Sequence, residues 1–286
     1  MKKFTKTCLI LAAVFMALGI IGCVTGAVMG AGYYNVSEII KDHVGENGII
    51  INGWKNSGDK KLKNASPSEN SFDASSIQNL SIDLQYGHLT FKPTDGSDIV
   101  VKVRKNDGHF VSKTEGDTLM LTDERTTKNG HAGYEVTVLI PQGKTFADVD
   151  IETNAGTFDA NQILLVANEL SITVDAGQAI LGTVTAQDAD FETGAGDIQV
   201  SCIDATDISV DCGVGNVDIG LAKTAAEYDF SLDCSVGNID IDSLGISGFQ
   251  SQKEIDNNAG RSVDLTCGVG NITVKTAQGT SAENVL

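Results

Sequence analysis

Three cysteines recur in one short phrase: Cys212-Gly213-Val214-Gly215-Asn216, Cys234-Ser235-Val236-Gly237-Asn238 and Cys267-Gly268-Val269-Gly270-Asn271. Thiols at a repeated position raise the question of a disulfide or a thiolate metal site. Zinc asks for a tetrahedral set, usually supplied by paired Cys-x-x-Cys, and that spacing is absent. The reading that fits Cys212, Cys234 and Cys267 is a column of small buried hydrophobes, with Cys202 on the same inward phase. Gly213-Val214-Gly215-Asn216-Val217-Asp218 shares letters with calcium-binding nonapeptide β-rolls. Those rolls repeat every nine residues or so, however, and Gly270-Asn271-Ile272-Thr273 has lost the acid. The corner asparagine is expected to cap its own turn. His43, His88, His109 and His131 are isolated, and no Ser/His/Asp arrangement, phosphate loop or histidine metal pair is visible. No catalytic, cofactor-binding or metal residue is assigned, and no cofactor is expected.

Acidity is the strongest chemical signal. The 286 residues carry a net charge of −18. Between Thr145 and Val274 stand 22 Asp or Glu against Lys223, Lys253 and Arg261. Glu152, Glu192, Asp211 and Asp233 share one outward column, a face that keeps an all-β protein soluble or binds cationic partners weakly. This sign of charge argues against nucleic acid. It also argues against a β-helix enzyme acting on acidic polysaccharides, which would need Lys or Arg to hold its substrate.

The element that must position these residues is a repeat. Gly87, Gly156, Gly177, Gly196, Gly215, Gly237 and Gly270 each sit inside the same apolar frame. Residues seven, five, three and one before each glycine, and two and four after it, are apolar at 40 of 42 positions, Thr153 and Thr193 being the exceptions. Alternation of period two marks a strand with one buried face, and the phase break at the glycine marks a corner. Spacings from Gly156 to Gly270 are 21, 19, 19, 22 and 33 residues. A period near 20 predicts an all-β solenoid (β-helix-like) with glycine corners, each coil covering its neighbour. Ser243 to Arg261, inside the long step, reads as a loop. The span between Gly87 and Gly156 has strand-like runs at Ile99–Val103, Thr118–Leu121 and Tyr134–Ile140, and is expected to form a less regular end with a capping hairpin.

Residues 1–34 read as an N-terminal signal anchor or transmembrane helix. Lys2, Lys3 and Lys6 precede an uncharged run from Cys8 to Tyr34, long enough to span a bilayer, and the positive-inside rule puts the remainder outside the cell. Ile20-Ile21-Gly22-Cys23 matches a lipobox. The apolar run continues well past Cys23, though, which favours an uncleaved anchor over a lipidated cysteine. Gly22, Gly26 and Gly30 share one helix face that would suit self-association in the membrane. Residues 35–71 read as a polar juxtamembrane linker, 72–276 as the solenoid and 277–286 as a disordered tail.

The stretch Phe72 to Phe91, with Ile77-Gln78-Asn79-Leu80-Ser81-Ile82-Asp83, followed by the Gly156 to Gly270 repeats, resembles the bacterial putative-adhesin family of unknown function that includes LiaG-like envelope proteins. The resemblance covers residues 72 to 276. It implies a β-solenoid on a membrane anchor at the cell surface and brings no binding or catalytic residues with it. The expected role is a single-pass, non-enzymatic, adhesin-like or envelope-stress-associated protein of the cell membrane, with an envelope or cell-wall partner. The alternative is a self-assembling scaffold of bactofilin type.

Overall fold

The computed structural model describes residues 66–125, 133–242 and 244–277, together with two short strands that pair antiparallel, β1 (Val44–Gly45) and β2 (Gly48–Ile49). The anchor segment with Gly22, Cys23, Gly26 and Gly30, most of the linker and residues 278–286 lie outside the described residues. Among the described residues no helix is long and apolar enough to cross a membrane. The chain divides into the units Met1–Lys61 and Leu62–Leu286, and every copy of the repeat lies in the second.

The spine of that second unit is a stack of parallel coils. The strands are β4 (Asn79–Thr94), β9 (Thr145–Thr185, which contains the Gly156 and Gly177 copies), β10 (Asp188–Asp204), β11 (Asp207–Leu221), β12 (Asp229–Ile241) and β14 (Ser262–Lys275). Pairing is in phase with the repeat: Gly87 faces Gly156, Gly177 faces Gly196, and Gly196 faces Gly215. The 35 residues at positions −7, −5, −3, +2 and +4 of the seven copies are all buried, from Leu80 to Val274. Alternation thus delivers one continuous core along the stack.

Position −1 departs from the sequence expectation. Val214, Val236 and Val269 are 54%, 43% and 48% exposed, and Tyr86, Ala155, Ala176 and Ala195 are not buried either. Between −3 and +2 the backbone rounds the corner, so the residue before the glycine points off the convex side. Period-two counting cannot see a turn. Cys202 likewise is only partly buried, because the register breaks between Val200 and Ile203 at the next corner.

The coils do not stack in chain order. Between β9, β10 and β11 the connections are two residues long, and each strand lands beside its predecessor. The connection from β11 to β12 is longer and contains a 3-10 turn at Ala225–Glu227. It carries β12 past one level, and β14 later fills the gap, pairing with β11 on one side and β12 on the other. Arg261, at the entry to β14, donates from Nη1 to Asp204 Oδ1 at 2.8 Å and to the Ala205 carbonyl at 2.6 Å. Lys223 binds the other oxygen of Asp204 at 3.1 Å. At the exit of β14, Thr276 donates its N–H at 3.0 Å and its hydroxyl to the Asp242 carboxylate.

The stretch read as a loop is a strand, β13 (Leu244–Ile255), lying antiparallel on β12. It closes the end of the stack because a parallel coil cannot satisfy its own outer backbone groups. The other end follows the same plan. β7 (Thr118–Asp123) and β8 (Tyr134–Pro141) together form a further level beyond β4. Three antiparallel strands finish that end: β5 (Asp98–Asn106) on β8, β6 (Phe110–Glu115) on β7, and β3 (Ser66–Asp73) on β5. β3 begins inside the stretch read as linker.

Candidate functional site

The broad exposed feature is the outer face of the first strand of each coil, at positions −8, −6 and −4. In β10 these are Asp188, Asp190 and Glu192; in β9, Asp148, Asp150 and Glu152; in β11, Asp207, Ser209 and Asp211; in β12, Asp229, Ser231 and Asp233. Register aligns Asp188 with Asp207, Asp190 with Ser209 and Glu192 with Asp211. Neighbouring coils lie about 4.8 Å apart, so these groups form a flat grid of carboxylates and hydroxyls without a cation among them. Hydroxyls relieve part of the repulsion: Ser262 Oγ donates to Asp207 Oδ1 at 2.6 Å. One shallow depression on this face is lined by Ser171, Thr173, Asp190, Glu192, Ser209 and Asp211.

The crowding shows in proton affinity. Partial burial, then Asp148, raises the Asp150 carboxyl above its ordinary value. Glu152 is raised by burial, then by Asp83, Asp175 and Asp150. A carboxyl raised in the folded state releases its proton first in the unfolded chain. The native state is therefore penalised at neutral pH and regains stability as pH falls through the raised value. Asp150→Asn is expected to raise the melting temperature at pH 7, with the gap to the parent narrowing under acid conditions as the pH falls through the raised value of the native carboxyl. Thermal unfolding at low salt at neutral and acid pH checks this.

Beyond the corner, the asparagines do not cap their own turns as the sequence suggested. Asn271 Nδ2 donates to Asn216 Oδ1 at 3.0 Å, and Asn216 Nδ2 donates to Asp197 Oδ1 at 3.0 Å, so they bridge coils. Lys275 is paired with Asp218. His88 meets Thr157, and the structure does not join it to His109.

The cysteine column is assembled as the repeat implies, but with Cys267 in the middle, since β14 lies between β11 and β12. Cys212, Cys234 and Cys267 are free thiols with at most 1% exposure. Burial, reinforced by the two neighbouring sulfurs, pushes the Cys267 thiol up to about 12, and burial also pushes Cys212 up. Neutral thiols of this kind are poor nucleophiles and poor metal ligands. Among the described residues no group of three or more His, Cys, Asp or Glu is arranged to hold a metal ion.

Sequence reasoning missed a polar cluster at the β7–β8 end, where the glycine ladder stops and Gly87 faces Tyr134. Asp123 and Arg125 form a buried ion pair, with Arg125 Nε donating to Asp123 Oδ1 at 2.7 Å and Nη2 donating to Oδ2 at 2.5 Å. The guanidinium also donates to the Tyr86 carbonyl and lies 3.7 Å from the centre of the Tyr134 ring, whose hydroxyl donates to Asp107. The cluster satisfies backbone and ring groups where no further coil follows. The only signal was an arginine two residues after an aspartate, which singles out nothing.

The chain is distantly similar to several solved structures. A Clostridium sporogenes protein described as a "putative cell adhesion protein" is 13% identical, over 75% of this chain and 100% of that one, with a TM-score of 0.44. A "putative adhesin" from Bacteroides fragilis is 13% identical over 74% and 97%, with a TM-score of 0.33. A "putative lipid binding protein" from Parabacteroides distasonis is 10% identical over 75% and 98%, with a TM-score of 0.26. No curated protein matches the chain. A family model described as Toastrack DUF4097 matches residues 77–284, which spans the stack from the segment before β4 through β14 and beyond. With that match over a glycine-cornered stack of parallel coils, the chain belongs to the Toastrack DUF4097 family.

Proposed function

We propose that this protein is a membrane-anchored, extracellular β-solenoid that acts without catalysis as an adhesin-like or envelope-associated surface component. The observation that carries the reading is the flat acidic grid on the first strand of every coil, from Asp83 in β4 to Asp233 in β12. A rigid sheet face with shallow relief suits contact with an extended partner. The charge selects a cationic one, such as a basic segment of an envelope protein or an amine-bearing wall polymer. The uncharged run Cys8 to Tyr34 behind three lysines supplies the anchor and the orientation.

Topology is the first thing to test. With a C-terminal tag on the full chain in intact, wall-stripped cells, added protease is expected to remove the tag without lysis. Protection until lysis would reverse the orientation and overturn the surface role.

A further inference from the structure

The two ends of the sheet are finished differently. At one end β3 is outermost, and it is blunted: Pro67 has no N–H, the register shifts between Ser66 and Ser68, and Glu69 and Asp73 add charge. β6, the other outlying strand there, carries the Lys113–Glu115 ion pair. At the opposite end β13 is outermost. It pairs with β12 in continuous register from Phe230↔Ile255 to Ile241↔Leu244, and among the described residues nothing pairs with its other edge. From Leu244 to Gln252 it contains no Asp, Glu, Lys, Arg or Pro, in a chain of net charge −18.

We infer that the free edge of β13 pairs antiparallel with β13 of a second copy of this chain, making a closed two-fold dimer through the C-terminal end of the stack. An unblunted strand edge presents a row of unpaired N–H and C=O groups, and an antiparallel partner of the same sequence matches them by symmetry. Charge selects the occupant: the acidic grid keeps two copies apart, and the uncharged stretch of β13 lets them approach without apposing carboxylates. The contact uses up the edge on both copies. Because β3 and β6 are blunted, no second contact continues the chain of copies, and the assembly stops at two instead of growing into a filament. This inference does not depend on the surface role.

The test is sedimentation velocity of the full chain in detergent, parent against Ser247→Lys/Gln252→Lys. Register sets these two positions opposite Asn238 and Asp233 of β12, which are not buried. The parent is expected to sediment as a dimer and the double variant as a monomer with unchanged thermal unfolding. A monomeric parent, a dimer that survives both substitutions (as one held by the membrane segment would), or species that keep growing with concentration would each overturn the inference. Should the double variant fail to fold, hydrogen exchange of the parent decides. Amides of Leu244–Ile255 are expected to exchange faster after dilution, and exchange independent of concentration overturns the inference.

Discussion

Gly270→Ala is expected to remove most of the stability of the C-terminal levels, about 4–5 kcal/mol, and to leave the protein partly unfolded under native conditions. Gly270 is flanked on both sides in the ladder, with Gly215 on one side and Gly237 on the other. A Cβ there would stand 1.8 Å from the Gly215 carbonyl oxygen and 2.9 Å from its carbon, both backbone atoms that cannot step aside. The φ of +149° adds strain for any L side chain. Relief would need the two coils to separate, which breaks the parallel pairing along β14 on that side. Gly143→Ala is the control: its φ is also positive, at +77°, but an added Cβ meets nothing within 4 Å. It is expected to cost only about 1 kcal/mol. Urea unfolding of the two variants measures the difference. Equal costs would mean that backbone conformation, and not contact between coils, makes glycine necessary at the corner.

Ile239→Asp is the second large effect, expected to cost about 3–5 kcal/mol by burying an unpaired carboxylate in the core beneath β13 and β14. Ile239 has no exposed surface, and Cys234, five residues earlier and equally enclosed, should behave the same way as Cys234→Asp. Asp233→Asn, on the outer face beside Cys234, is expected to be nearly silent. Val214 and Val217 sharpen the comparison because the repeat frame treats them alike and the structure does not. Val217 is 1% exposed and Val214 is 54% exposed. Val217→Ser is expected to cost about 2 kcal/mol, while Val214→Ser stays within about 0.5. Denaturant midpoints for these variants read out the inward and outward assignment directly.

The outer grid behaves differently from the core under changing solution conditions. Its carboxylates repel along each column, so added salt is expected to favour the folded state. Acidification works against this gain at the polar turns. The Asp107 carboxyl sits below its ordinary value despite the opposing effect of burial, because it accepts from Tyr134 and the His109 N–H. Its contribution is present above the unfolded pKa and is lost as pH falls through the lowered folded value.

The sequence by itself determined the coil. Alternating apolar residues at −7, −5, −3, +2 and +4, with glycine at zero, dictate which side chains enter the core, because every coil must bury the same face against the same neighbours. It also determined the chemistry of the outer face, since the positions −8, −6 and −4 that the frame leaves outside on the first strand are acid or hydroxyl in every coil, apart from Asn79 in β4. Three matters needed the tertiary structure. The outward aim of Val214, Val236 and Val269 follows from the backbone direction at the corner, and side-chain period carries no information about direction through a turn. The position of β14 between β11 and β12 could not be read because the Cys-x-Val-Gly-Asn phrase is shared by all three: identical coils fit in any order, and only the length of the Ala222–Tyr228 connection and the clamps at Asp204 and Asp242 choose one. The caps at the two ends, β13 and the Asp123–Arg125–Tyr134 cluster, satisfy backbone and polar groups left over when repetition stops. A repeat specifies what lies between its neighbours, and its ends have a neighbour on one side only.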